Sequence, residues 1–210
     1  AAACTGGARG IDRGHGGADR ARGGDARASR VGAVSAEQTT IVKYPDPRLR
    51  QVAAPVAEFD EDLADLAATL FDTLYATPGV ALSAPQLGVD RRALVLDLSG
   101  DRSAPEVYVN PEIVARRGVG LSEESCLSLP GVTGNVVRSA QVLVRAVDAH
   151  GVAFEREADG LRAICLQHEV DHLDGTLFVD RLWWPGRMRW RALGARRFER
   201  ARRALVASSH

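Results

Sequence analysis

The chain has 210 residues with 27 basic and 27 acidic side chains and is 45% hydrophobic, enough for one domain with a sizeable core. No stretch approaches the ~20 consecutive apolar residues that a membrane-spanning helix needs, so no membrane partner is expected. Three cysteines, Cys4, Cys126 and Cys165, make no framework of paired bridges and point to a reducing compartment, the cytoplasm.

Taken in order, residues 1–36 are mostly Ala, Gly, Arg and Asp, with six Arg against three Asp and few large apolar groups. Such a segment buries too little to offset its ordering entropy and is expected to be a disordered extension. It lacks the apolar core of a secretory signal. Its aspartates, and the absence of an amphipathic stripe, make organelle import the lesser reading of its arginines. Order is expected from about Thr39. Tyr44-Pro45-Asp46-Pro47 reads as a turn with two fixed φ angles. Residues 60–77 read as a helix that Asp60 caps, with an apolar stripe of Leu63, Leu66, Ala67, Leu70 and Leu74, and Pro78-Gly79 ends it. Between 93 and 157 the pattern is β, with candidate strands at 93–98, 107–109, 113–116, 141–148 and 152–157 and a hairpin turn at His150-Gly151.

A second helix opens at Asp159-Gly160 and stops at Gly175, with Leu161, Ile164, Cys165, His168 and His172 on one inward stripe. The class is therefore α+β, short antiparallel strands packed around one central helix. Residues 37–184 carry thirteen basic and twenty-three acidic side chains and form a single acidic domain. After a turn at Pro185-Gly186, residues 187–207 read as a basic C-terminal helix. The 185–210 tail holds eight Arg and one Glu, so it is where a polyanionic partner would dock.

The central helix carries His168-Glu169-Val170-Asp171-His172. Two histidines four apart project from nearly the same face, one turn apart, and can share a metal ion. The Glu beside the first is placed to act on a water held there. Two satisfied core histidines are the plain alternative. A catalytic site usually has three protein ligands and an open position. The downstream position that supplies the third ligand in many metallopeptidases falls on Phe178, which cannot ligate, and Glu199 lies in the arginine-rich tail. Cys126, in Glu124-Ser125-Cys126-Leu127-Ser128, is the best upstream offer, although a buried structural cysteine would look the same. Asp171 reads either as a surface charge or as a partner for an arginine such as Arg138.

Three motifs in order carry a resemblance. Gly79-Val80-Ala81-Leu82-Ser83-Ala84-Pro85-Gln86, Glu124-Ser125-Cys126-Leu127-Ser128 and Gln167-His168-Glu169-Val170-Asp171-His172 resemble the Gly-x-Gly-Leu-Ala-Ala-Pro-Gln, Glu-Gly-Cys-Leu-Ser and Gln-His-Glu-x-Asp-His of the peptide deformylases. The likeness spans roughly residues 39–183 and is to the bacterial type with a C-terminal helix.

The resemblance implies a hydrolase that removes the formyl group from the N-terminal formylmethionine of nascent polypeptides. It implies that Cys126, His168 and His172 hold one divalent metal, Fe(II) in the cell, with Zn, Ni or Co as substitutes. Glu169 is then the proton shuttle, and Gln86 and the Leu127 backbone N–H are donors to the oxyanion. Val80, Leu127, Leu161, Ile164 and Cys165 become pocket walls for the methionine side chain, and the segments at Gly79, Val80, Ala81 and Ser125 run beside the peptide. It also implies ribosome docking, through ribosomal RNA, by the basic C-terminal helix. Ala81 and Ser125 stand where the family has glycines, and Ser83 replaces an alanine. These departures keep open a catalytically weakened, ribosome- or peptide-binding protein. A zinc endopeptidase is the remaining alternative.

Overall fold

The computed structural model describes residues 40–190 together with Arg196 and Arg200. The expectations for residues 1–36, for Cys4, for Glu199 and for most of the basic tail lie outside the described residues. In chain order the elements are α1 (Glu61–Tyr75), β1 (Ala81–Ser83), β2 (Ala93–Leu96), β3 (Glu106–Arg117), β4 (Gly120–Cys126), β5 (Leu129–Arg138), β6 (Gln141–Val147), β7 (Ala153–Asp159), α2 (Gly160–Leu173) and α3 (Trp184–Arg189). Five strands form one antiparallel sheet in the order β1-β2-β3-β6-β7, and β4 and β5 form a separate two-stranded sheet.

The first helix forms where its pattern places it. Asp60 accepts the Leu63 N–H at 3.1 Å, and Glu61 and Asp62 sit in the first turn, where the helix dipole favours negative charge. Its stripe packs Leu66, Leu70 and Leu74 against Leu82, Ala84 and Val95.

The second helix is enclosed rather than one-sided. The periodicity predicts an inward stripe beginning at Leu161, but Leu161 is exposed and Ile164 half-buried, whereas every side chain from Cys165 to Leu173 is buried. Cys165, Leu166, Val170 and Leu173 pack on Leu94, Leu96, Tyr108 and Val144 of the large sheet. On another side the His168 ring stacks on Phe178 at 6.1 Å, and Phe178 belongs to a second cluster with Leu129, Val136 and Leu182. A helix walled in on several sides needs no polar face, so polar residues within it are there for a reason other than solvation.

Its end is fixed by a paired capping motif. Thr176 N–H donates to Asp171 C=O at 2.8 Å and Gly175 N–H to His172 C=O at 3.1 Å, with Gly175 at φ +66°. Ala53 N–H takes the Leu173 carbonyl at 2.8 Å.

Several expectations are corrected. The strands at 107–109 and 113–116 are one strand, β3, whose pairing with β6 shifts register across Pro111, between Val109 and Glu112, and again between Ile113 and Ala115. Asn110, at φ +50°, makes this tolerable: its side-chain amide clamps both the N–H and the C=O of Val56 at 2.8 Å. The β4–β5 hairpin and the short strand β1 are absent from the expected list. The last helix begins at Trp184, not after the Pro185-Gly186 pair; proline fits the first turn because an N–H there has no intrahelical partner.

Two glycines at positive φ separate backbone strain from steric clash. At Gly175 an added Cβ would meet the Arg50 carbonyl oxygen at 2.5 Å, whereas at Gly131, φ +74°, it would meet nothing within 4 Å. Gly131→Ala should therefore cost about 1 kcal/mol, and Gly175→Ala about 3 kcal/mol or more, because the motif that ends α2 must also give way. Urea unfolding of both variants checks this; equal losses would mean that the Arg50 backbone yields freely.

Candidate metal centre

The hairpin β4–β5 delivers the first ligand candidate. Cys126 is the last residue of β4, and the turn through Leu127 and Ser128 pairs it with Leu129. It meets α2 where His168 and His172 stand one turn apart with ring centroids at 5.1 Å. Cys126 Sγ lies 3.2 Å from His172 Nε2, and one ligand atom from each of the three residues falls within 4.8 Å of the others. All three are buried. Cys165 takes no part in this cluster and lies fully buried against the large sheet.

The cluster fits a metal ion by what its polar atoms lack. His168 Nε2, His172 Nδ1 and both carboxylate oxygens of Glu169 are buried with no hydrogen-bond partner among the described residues. Unpaired polar atoms in a packed core are costly, and four of them on the one helix turn that carries both histidines call for partners that the side chains there do not supply. Thiolate plus two imidazoles is the donor set of a borderline-soft divalent ion. Burial works against ionising the Cys126 thiol, but His172 and His168 beside it hold it well below the ordinary thiol range. Burial likewise opposes charge on His168, yet its contacts with Cys126 and Glu124 push it up to about 10. The cluster is thus built to hold positive charge.

A chain of buried charges orients the first histidine. His168 Nδ1 lies 2.8 Å from Glu124 Oε2, so the Nδ1–H donates there and Nε2 presents its lone pair to the cluster. Glu124 is gripped on its other side by Arg138, at 2.7 and 2.9 Å. Burial opposes its ionisation, but Arg138 and His168 hold its pKa at about 2. Arg138 also donates to Asp171 at 2.6 Å, and Arg181 reaches the same carboxylate at 2.9 and 3.2 Å. Asp171 is therefore an arginine partner and not a surface charge, and Arg138 is the arginine. Glu124 escapes the sequence reading although its signal was present: it stands two residues before Cys126, on the same strand face, and a ligating histidine needs an acceptor for its second nitrogen. Gln167 pins the helix beside this chain, donating to Ser139 C=O and Ala163 C=O at 2.9 Å and accepting from Ser139 N–H at 2.9 Å.

The remaining residues surround the cluster at different depths. Gln86 closes its own turn, its Oε1 accepting from Ser83 N–H and Oγ at 3.0 Å. The same anchoring leaves Nε2 facing Cys126 Sγ at 3.6 Å and Ser128 Oγ at 3.4 Å. The chain before the first turn passes close by, with Val42 N–H on Gln86 C=O, Tyr44 N–H on Ser128 C=O, both at 2.8 Å, and Lys43 Nζ on Leu127 C=O at 2.7 Å. Val80 packs on the cluster that contains Ala81 and Cys165, and Leu127 on the one that contains Leu70 and Leu82. Gly79 and Ser125 are half-buried, and Ile164 and the exposed Leu161 open to the surface at the start of α2.

Comparison with known proteins agrees with this geometry. The family model for polypeptide deformylase matches residues 38–186. The peptide deformylase of Alkalilimnicola ehrlichii is 49% identical over 143 residues, 68% of this chain and 80% of that protein. That of Neisseria meningitidis is 49% identical over 142 residues, 68% of this chain and 85% of that protein. The crystal structure of a peptide deformylase from Legionella pneumophila superposes with a TM-score of 0.72 at 47% identity, covering 79% of this chain and 96% of that one. A peptide deformylase from Plasmodium falciparum superposes with a TM-score of 0.72 at 33% identity over 78% of this chain and 97% of that one. Neither the endopeptidase nor the binding-protein alternative finds support among these relatives, and the chain belongs to the polypeptide deformylase family.

Proposed function

We propose the roles by which this chain, a deformylase, hydrolyses the formamide at the N-terminus of nascent formylmethionyl polypeptides to formate and a free amine. The observation that carries the reading is the buried Cys126–His168–His172 cluster with an unpartnered Glu169 carboxylate beside it.

Cys126, His168 and His172 would hold one divalent ion, with iron(II) as the physiological choice and zinc, nickel or cobalt as substitutes. When bound, such an ion supplies Lewis acidity, polarising the formyl oxygen and making a water nucleophilic at neutral pH. Glu169 takes the proton of the attacking water and returns it to the departing amine. The amide of Gln86, preset by Ser83, and the backbone N–H of Leu127 donate to the oxygen on which charge develops. One such donor is typically worth about 3 kcal/mol in the transition state.

The peptide itself is bound as an added strand. β1 is an edge of the five-stranded sheet, and among the described residues β4 pairs with β5 alone, so each has one side that no other described strand occupies. In this reading Gly79, Val80 and Ala81 flank one side of the peptide and Ser125 the other, and Val80, Leu127, Leu161, Ile164 and Cys165 wall the methionine pocket. Ala81 is fully buried in the core with its methyl packed there, so this departure from glycine does not obstruct the peptide.

Residues 37–184 form the catalytic domain and residues 1–36 an appendage to it. No helix among the described residues is long and apolar enough to cross a membrane, and the enzyme acts in the cytoplasm, where formylated chains emerge from ribosomes. The tail binds ribosomal RNA through Arg187, Arg189, Arg191, Arg196, Arg197, Arg200, Arg202 and Arg203, and each phosphate contact releases counterions.

Three experiments test these roles. Cys126→Ala should lose bound metal and formate release together, while Cys165→Ala keeps its metal; elemental analysis that finds full metal in Cys126→Ala would falsify the ligand set. Glu169→Ala should keep its metal and lose turnover by about 10²- to 10⁴-fold, the usual range for a proton shuttle; near-parental formate release would assign the base to another group. Ending the chain after Trp190, which preserves the 5.8 Å edge contact of Trp190 with Tyr44, should abolish co-sedimentation with ribosomes but spare hydrolysis of a short formyl peptide. Unchanged pelleting by the shortened chain would place the ribosome contact elsewhere.

A further inference from the structure

Beside the metal cluster, along α2, lies a cavity of about 330 Å³ lined by Arg116, Arg138, Arg181, Asp171, Ser139 and Gln167. Val119 and Val137 form its apolar rim, exposed at 78% and 45%. Three guanidinium groups thus face one concavity with a single carboxylate among them, in a domain whose overall charge is strongly negative.

The hydrogen bonds of these groups leave donors over. Arg138, buried at the floor, is shared between Glu124 and Asp171. Arg181 gives Nε and Nη2 to Asp171, and its Nη1 has no hydrogen-bond partner among the described residues. Arg116 lies over the opposite wall with only Nη1 engaged, on Gln167 Oε1 at 3.2 Å. Ser139 spends its N–H and C=O on Gln167, which leaves its hydroxyl as a further donor. Like charges gathered around a partly enclosed space repel one another unless an anion sits between them. Planar guanidinium forks and a hydroxyl match the oxygens of a phosphate group.

We propose that this cavity is a binding site for a phosphate-class dianion, free or as the terminal group of a monoester, held by Arg116, Arg181 and the Ser139 hydroxyl over the buried Arg138. Its floor is continuous with the metal cluster. Gln167 and Asp171 directly adjoin the ligand histidines in sequence, and Arg138 reaches His168 through Glu124. An anion there shares Arg181 with Asp171, so the site borders the support of the metal ligands and not the substrate cleft.

The test is calorimetric titration of the full, metal-loaded chain with inorganic phosphate at fixed ionic strength, set beside the doubly substituted Arg116→Ala/Arg181→Ala chain. The parent should bind one phosphate saturably, and the double variant should bind at least tenfold more weakly while keeping its metal and a cooperative melt. Arg181→Glu alone should weaken binding at least as much as Arg181→Ala. Glycerol phosphate in a second arm separates the sources: binding as tight as that of inorganic phosphate assigns the site to the end of a larger molecule, and weaker binding assigns it to the free anion. Either result supports the cavity as the site. Undiminished binding by the double variant would place the anion on the metal or the basic tail and overturn the proposal. So would a thermal shift in the parent that chloride reproduces at matched ionic strength.

Discussion

Glu124 is fully buried between Arg138 and His168, and the rest of the site depends on how that one carboxylate is held. Removing a carboxylate from water costs several kcal/mol, and the cost is recovered only if both oxygens are well bonded. Arg138 supplies a two-pronged grip and His168 the remaining donor. The same arginine then needs a second anion, which Asp171 provides, and Asp171 in turn draws in Arg181 from the solvent side. Each partner is thus required by the one before it. The consequence is geometric: β4 and β5 are tied to α2 by charge-assisted bonds on the side of the helix that carries the ligands. Cys126, at the end of β4, is thereby held in register with His172.

The formal charges of this region make a further argument. Glu124, Glu169, Asp171 and a Cys126 thiolate are four anionic groups, and Arg138 and Arg181 pair with Glu124 and Asp171. That leaves the thiolate and the unpartnered Glu169 carboxylate beside the two histidines, a setting that suits a divalent ion. The donor set and the surrounding charge therefore point to the same occupant.

The parts legible in the sequence are those whose signal is local. Asp60 and the leucine stripe specify α1. The histidine spacing places both imidazoles on one face of α2, and Gly175 marks its end. The parts missed depend on distant partners. The β4–β5 hairpin carries Gly120, Gly131 and Gly134, together with Leu121 and Val137, which face solvent, so it shows no clean alternation. It persists because Leu182 packs over Gly134 and bridges to Val136. Pro111 looks like a strand terminator until Asn110 and Val56 are seen to absorb the irregularity. Glu124 reads as one acidic residue among several, because only the fold brings His168 to it. The fully buried α2 fails as an amphipathic pattern for a related reason: periodicity detects a boundary between core and water, and this helix has no such boundary after Cys165.

That enclosure also accords with the proposed binding of the peptide along strands. With α2 buried, the proposed approach to its histidines runs between β1 and β4, which lie at the edges of two separate sheets. An unpaired strand edge invites association with other chains. Here β1 is only three residues long and β4 is interrupted by a register shift at Ser125/Cys126, which limits how far a foreign strand can pair. In the proposed function a short peptide entering by its N-terminus needs only a few backbone hydrogen bonds, and these two strands would supply them. The constraint that makes α2 a rigid support for its ligands therefore also leaves a short pair of strand edges as the place for an extended chain end to bind.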